Sequence, residues 1–151
     1  MKATTLLKND HAAVKRLFRA YEKADKADDN AQKKTIFDQI ATELDVHMKV
    51  EEEILYPALK AETDQDGIDK ILEAREEHGV AKSLLAQLAK MKPGDETFDA
   101  KVAVVIESVE HHMGEEEEEM FPDADDTLGL KKLQELGERI EERKSQLVAD
   151  R

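Results

Sequence analysis

The chain is expected to be all-α: an antiparallel up-down four-helix bundle with an additional C-terminal helix. Three observations predict it. Apolar residues recur at steps of three and four through four long segments. Short polar connections separate those segments, which favours antiparallel neighbours. No stretch carries the alternation or the bounded apolar run of a strand.

At 151 residues, the chain is read as a single domain over 1–151, with the bundle over about 3–122 and the last helix over about 127–150. Charged residues make up 39% and aromatic residues 4%, yet the apolar 40% is periodically placed, as in a folded helical protein. A formal charge of −13 argues against nucleic acid or an anionic membrane as partner and is compatible with cations. With no cysteine, disulfides and thiolate metal sites are excluded. No signal-like apolar run opens the chain, and no stretch reaches the ~18 apolar residues of a membrane span, so a soluble, cytoplasmic protein is expected.

The first helix, from residue 3 to about 26, carries Leu7, His11, Val14, Phe18 and Tyr21 on one stripe, with Thr4 or Thr5 as its cap. Asp28-Asp29-Asn30 breaks the pattern. The second helix places Ile36, Phe37, Ile40, Leu44, His47, Glu51 and Leu55 on its stripe and ends near Pro57 to Lys60. Residues Glu62 to Gly67 form a loop by composition. The third helix carries Ile71, Ala74, His78, Ala81, Leu85 and Leu88 and stops at Pro93-Gly94. Asp95 or Thr97 can cap the fourth, whose stripe is Val102, Val105, Val109, His112, Glu116 and Met120. Asp123 to Thr127 reads as a turn. Beyond it, Leu130, Leu133, Leu136, Ile140 and Leu147 make one apolar face, able to cover the bundle or to form a homodimer contact.

Four of the five histidines fall one per helix, each on the apolar stripe. Residues equidistant from a hairpin turn lie side by side. The midpoint of His11 and His47 is Asp29, that of His47 and His78 lies between Glu62 and Thr63, and that of His78 and His112 is Asp95. Every midpoint is in a connection, so the four histidines are expected at one level. Glu51 and Glu116 each follow a histidine by one turn on the same face. Burying two carboxylates and four imidazoles without partners would cost several kcal/mol per charge. A metal removes that conflict, and mixed nitrogen and oxygen donors favour iron, with manganese or zinc as alternatives. Six donors exceed the needs of one tetrahedral ion and suit a pair about 3.5–4 Å apart.

The two glutamate-bearing segments, His47 to Pro57 (HMKVEEEILYP) and His112 to Pro122 (HMGEEEEEMFP), align without a gap. That alignment selects His112 and Glu116 over the alternative pair His111 and Glu115, leaving His111 as a flanking residue. Glu52 and Glu117 are read as solvated or outer residues. Tyr56 and Phe121 are read as closing the bundle end, with Tyr21 and Tyr56 as conceivable donors to a bound oxygen species.

These motifs, with Asp10-His11 and Glu77-His78, resemble the hemerythrin-like, or HHE cation-binding, family over roughly residues 5–122. The resemblance implies a carboxylate-bridged non-haem di-iron centre held by His11, His47, Glu51, His78, His112 and Glu116. It further implies binding or sensing of dioxygen, nitric oxide or peroxide. Peroxide breakdown, nitric-oxide-linked repair and iron storage are the alternatives. Two departures from the oxygen-carrying hemerythrins stand out. His78 has Ala74 and Lys82, not a second histidine, one turn away, and the last acid falls at Glu116 where those proteins use an aspartate one residue later. The missing fifth histidine leaves one metal position open, or filled by water or another side chain.

Overall fold

The computed structural model describes residues 1–150, which contain helices and no strand. The order is α1 (Ala3–Lys26), α2 (Asn30–Val50), a π-helical turn (Glu51–Leu55), α3 (Tyr56–Lys60), α4 (Gln65–Ala89), α5 (Phe98–Glu115), a second π-helical turn (Glu116–Met120) and α6 (Phe121–Ala149). The expected bundle is formed by α1, the run from α2 through α3, α4, and α5 with its extension.

Local chemistry sets most boundaries. Asp29 caps α2 by accepting a hydrogen bond from the Gln32 amide at 3.1 Å, and Asp64 caps α4 by accepting from Gly67 at 3.0 Å. At the α4–α5 turn the Asp95 carboxylate accepts from the Lys92 amide at 2.9 Å, while Thr97 stands at the N-cap of α5 without a side-chain bond. The caps expected at Thr4 or Thr5 are not used. Lys2 precedes α1, and the Thr4 hydroxyl instead donates to Asp125 at 2.7 Å, tying α1 to α6.

Each glutamate-rich run contains one wide turn. The Tyr56 amide donates to the Glu51 carbonyl, and the Phe121 amide to the Glu116 carbonyl, five residues back in place of four. Pro57 and Pro122 follow directly, in the first turn of the next helical segment, where a missing amide is tolerated. Neither proline ends its helix. The turn expected at Asp123 to Thr127 is therefore helical, and its acids act as acceptors: Asp123 takes hydroxyls from Thr63 at 2.8 Å and Thr127 at 2.9 Å. The C-terminal helix expected from about 127 is set off by a break at Gly129, whose φ of 78° and ψ of 163° lie outside the helical region in a conformation that glycine enters at least cost.

Past Gly129, α6 lies over α1 and α2. Leu133, Leu136 and Ile140 join Ala3, Leu7, Val46, Val50 and Ile54 in one buried cluster. Gly137 permits the close approach, because a Cβ there would stand 2.1 Å from the Met1 carbonyl oxygen. A second cluster, with Phe18, Phe37, Ile40, Leu88 and Phe98, fills the opposite end. The apolar core is thus two masses, and the histidine level lies between them.

Candidate metal centre

The residues singled out by spacing all reach that level. His11 is 1% exposed, His47 4%, Glu51 0%, His78 3%, His112 7% and Glu116 1%. His111 points away, with its side chain 67% exposed and its ring 2.8 Å from Glu115. Of the five consecutive acids, only Glu116 is buried.

The Nε2 atoms converge on the two carboxylates. His11 Nε2 stands 3.2 Å and His112 Nε2 3.3 Å from Glu116 Oε1, while His47 and His78 each place Nε2 3.2 Å from Glu51 Oε1. Two donor groups emerge, His11, His47, Glu51 and Glu116 on one side and Glu51, His78 and His112 on the other, each with its donor atoms within 4.8 Å of one another. They share Glu51.

Four buried polar atoms here have no hydrogen-bond partner: His11 Nε2, His47 Nε2, Glu51 Oε2 and Glu116 Oε1. An orphaned buried group costs about 1–3 kcal/mol, and four of them around one point form an arrangement a cation would satisfy. The donor set fits, since imidazole and carboxylate suit iron, manganese or zinc.

The other ring nitrogen of every histidine is held by an acid. Nδ1 of His11 lies 3.0 Å from Glu117, that of His47 3.0 Å from Asp10, that of His78 2.9 Å from Glu52 and that of His112 2.9 Å from Glu77. This is the arrangement that turns Nε2 inward and raises its basicity toward a metal. Of the two roles open to Glu52 and Glu117 in the sequence, solvated face or outer partner, the structure shows the outer partner. Asp10 and Glu77 play the same part, which the helix stripes do not reveal. The available signal was their shared position, each one residue before an inward histidine.

Tyr56 departs most from expectation. It is fully buried, but its hydroxyl enters the centre, donating to Glu116 Oε2 at 2.7 Å and lying 3.3 Å from both Glu51 Oε1 and His78 Nε2. The wide turn explains this. At about 100° per residue, a position five after Glu51 falls off the ligand face of an α-helix, whereas a five-residue hydrogen-bonded turn stacks it back on that face. Phe121 occupies the matching position and stacks on His11 with ring centroids 5.5 Å apart, as Tyr56 does on His78 at 5.5 Å. Tyr21 is elsewhere, donating to Asp99 at 2.8 Å.

Electrostatics follow from burial against pairing. Burial disfavours a charged His47, but Glu51, Asp10 and Glu116 outweigh it and push it up to about 10. Burial is likewise outweighed at His112 by Glu116, Glu51 and Glu77, again giving about 10. Glu51 is held well below the usual carboxylate range, its burial overcome by His47 and by hydrogen bonds from His78. Burial beside Glu51 and Glu116 pushes the Tyr56 hydroxyl well up, so it remains a proton donor.

A helical bundle that draws four ring nitrogens and two carboxylates into a dry interior defines a class, the cation-binding helical bundles. Within it the family can be named: residues 2–124 match the hemerythrin HHE cation-binding domain, and the chain belongs to that family. A crystal structure of a hemerythrin HHE cation-binding domain-containing protein from Mycobacterium kansasii superposes with a TM-score of 0.84 at 26% identity, over 99% of this chain and 89% of that one. An uncharacterised protein of Mycobacterium tuberculosis is 29% identical over 97% of this chain and 88% of its own. A protein named DNA nickase from Nostoc sp. is 23% identical over 97% of this chain but only 40% of its own length. No described helix is long and apolar enough to cross a membrane.

Proposed function

We propose that this protein holds two metal ions, iron in the first instance, in a carboxylate-bridged centre ligated by His11, His47, Glu51, His78, His112 and Glu116. The observation that carries this reading is the pair of donor groups sharing Glu51, with orphaned atoms on both carboxylates. Tyr56 adds an oxygen donor on the His78 side of the centre. Bound iron would supply redox chemistry toward dioxygen, nitric oxide or peroxide.

The ligand is small. A cavity of about 20 Å³, walled by Leu44, Met48, Ala81, Val109 and Met113, abuts His47, His78 and His112. That volume accommodates about one water-sized molecule, and its apolar walls suit a diatomic ligand or peroxide and nothing larger. The outer acids fix the imidazoles, the two apolar clusters exclude bulk water, and Tyr56 offers one proton-bearing hydroxyl inside the centre. A protonated hydroxyl at that place also favours a second reading, an enzyme that turns over peroxide. Storage is less well served, because one dinuclear centre per chain holds little metal.

The test is metal analysis of protein produced with iron, with absorption spectroscopy. Two ions per chain and charge-transfer bands are expected, and His112→Ala or Glu51→Ala should remove metal. Folded protein that takes up no metal would overturn the reading. Reduced protein mixed with oxygen and then with peroxide separates the two readings: a reversible adduct supports binding or sensing, and repeated peroxide turnover supports the enzyme.

A further inference from the structure

The two halves of the bundle can be overlaid through their own motifs. Pairing His47 with His112 sets Val46 against His111, Val50 against Glu115 and Ile54 against Glu119. Pairing His11 with His78 sets Ala3 against Lys70, Leu6 against Glu73, Leu7 against Ala74 and Asp10 against Glu77. In four of the seven pairs an apolar residue stands against a charged one, and in a fifth Val46 stands against His111.

The fold gives the reason. Val46, Val50, Ile54, Ala3 and Leu7 are buried in one cluster with Leu133, Leu136 and Ile140, so α6 seals that face of the centre. Among the described residues no helix covers the matching face. There, a cleft of about 80 Å³ runs between α4 and α5, walled by Glu73, Glu77, Glu115 and Glu119. Its lining includes His112 and Glu116, and Glu116 is 1% exposed with Oε1 lacking any hydrogen-bond partner. The acidic cleft therefore ends on an unsatisfied donor of the buried centre.

Counter-charges make the same distinction. Asp10 is paired with Lys144 of α6, Glu52 with Lys82 at 2.8 Å and Glu117 with Lys15 at 3.9 Å. Among the described residues Glu77 has no lysine or arginine partner. It stands instead with His111 and Glu115, their donor atoms within 4.8 Å of one another. Lys70, across the outer end, is held by Asp66 at 3.2 Å and Glu119 at 3.4 Å, leaving the inner acids to face the opening.

We propose that this cleft is the loading route of the centre. A hydrated divalent cation is drawn in by the acidic walls, makes its first protein contact at Glu77, His111 and Glu115, and passes inward to Glu116 and His112. A groove lined by one sign of charge raises the local concentration of the opposite ion and speeds its capture. Carboxylates spaced along the wall can replace its waters stepwise. The proposal rests on the buried centre being the metal site.

The experiment uses the full chain stripped of metal and cobalt(II) as the sole probe, mixed rapidly at low ionic strength and followed by its visible absorption. Glu115→Gln with Glu119→Gln, the first half-buried and the second exposed, should slow uptake by about tenfold, with the same final amount of cobalt bound. Glu141→Gln with Glu142→Gln, removing equal charge from the exposed face of α6, should leave the rate unchanged. Cleft variants that load as fast as the parent, or a control pair that slows as much, would overturn the route. A parent protein that binds no cobalt at all overturns the metal centre and the route together.

Discussion

The half-site around His11 and His47 and the half-site around His78 and His112 match closely in most of their geometry. Ring centroids stand 4.9 Å apart in the first pair and 4.8 Å in the second, with interplanar angles of 62° and 68°. Each half has one acid immediately before an inward histidine and one immediately after an inward glutamate, and these acids hold the four Nδ1 atoms. The aromatic ring on each half differs, Phe121 lying on His11 and Tyr56 on His78. A shared framework thus presents two unequal donor groups, one of them with a tyrosine hydroxyl beside it.

Acidity tests the match most strongly. His47 and His112, one in each half, both carry a proton up to about pH 10 in the metal-free protein, and a metal must displace it. Apparent affinity should therefore rise with pH toward about 10, by up to about tenfold per unit for each proton released. The metal-free fold behaves in the opposite sense. A raised histidine contributes its stability in full below the unfolded value near 6.5, and that contribution is lost as pH rises through about 10. Competition titrations and thermal unfolding across this window check both slopes, and an affinity that falls on alkalinisation contradicts the assignment.

The outer acids give the next largest effect. Glu52→Gln and Glu117→Gln remove mirror-related partners of His78 and His11, so each should weaken metal binding by about 10–100-fold. Similar losses sustain the symmetry. A loss confined to one variant would show that the halves bind with separate strengths.

Tyr56→Phe should have the smallest effect and the sharpest meaning. It gives both halves a phenyl ring on histidine and leaves Glu116 Oε2 without its donor, a destabilisation of about 1 kcal/mol in the metal-free fold. In the loaded protein, the spectroscopic difference between the two metal positions should diminish. Spectra identical to those of the parent would show that the hydroxyl does not distinguish them.

The amino-acid order makes the helices and the inward histidines legible for a simple reason. Both are properties of α-helical period, and His11, His47, His78 and His112 keep that period without interruption. Glu116 is separable from its four neighbours because it alone of the five follows the inward His112 by four residues, on the same face. What stays hidden depends on departures from the period. Tyr56 is brought inward by a turn one residue wider than α. Pro122 is accommodated by the equivalent turn, so the helix runs past Asp123 to Gly129. Thr4 binds Asp125, a partner on the far side of the chain, in preference to capping its own helix. Asp10 and Glu77 act across helix pairs, and no single-helix stripe shows such contacts.

Most of α6 lies beyond residue 124, where the match to the family ends, yet it reaches the centre through a short relay. Lys144 grips Asp10, Asp10 holds His47, and Arg143 binds Glu53 within the wide turn at 2.8 Å. Coupling of this kind is reciprocal: whatever steadies His47 also steadies the helix gripping its partner. A cation captured in the interior therefore damps the slow local opening of the chain's last helix. Fraying of that helix, in turn, loosens the grip on the cation.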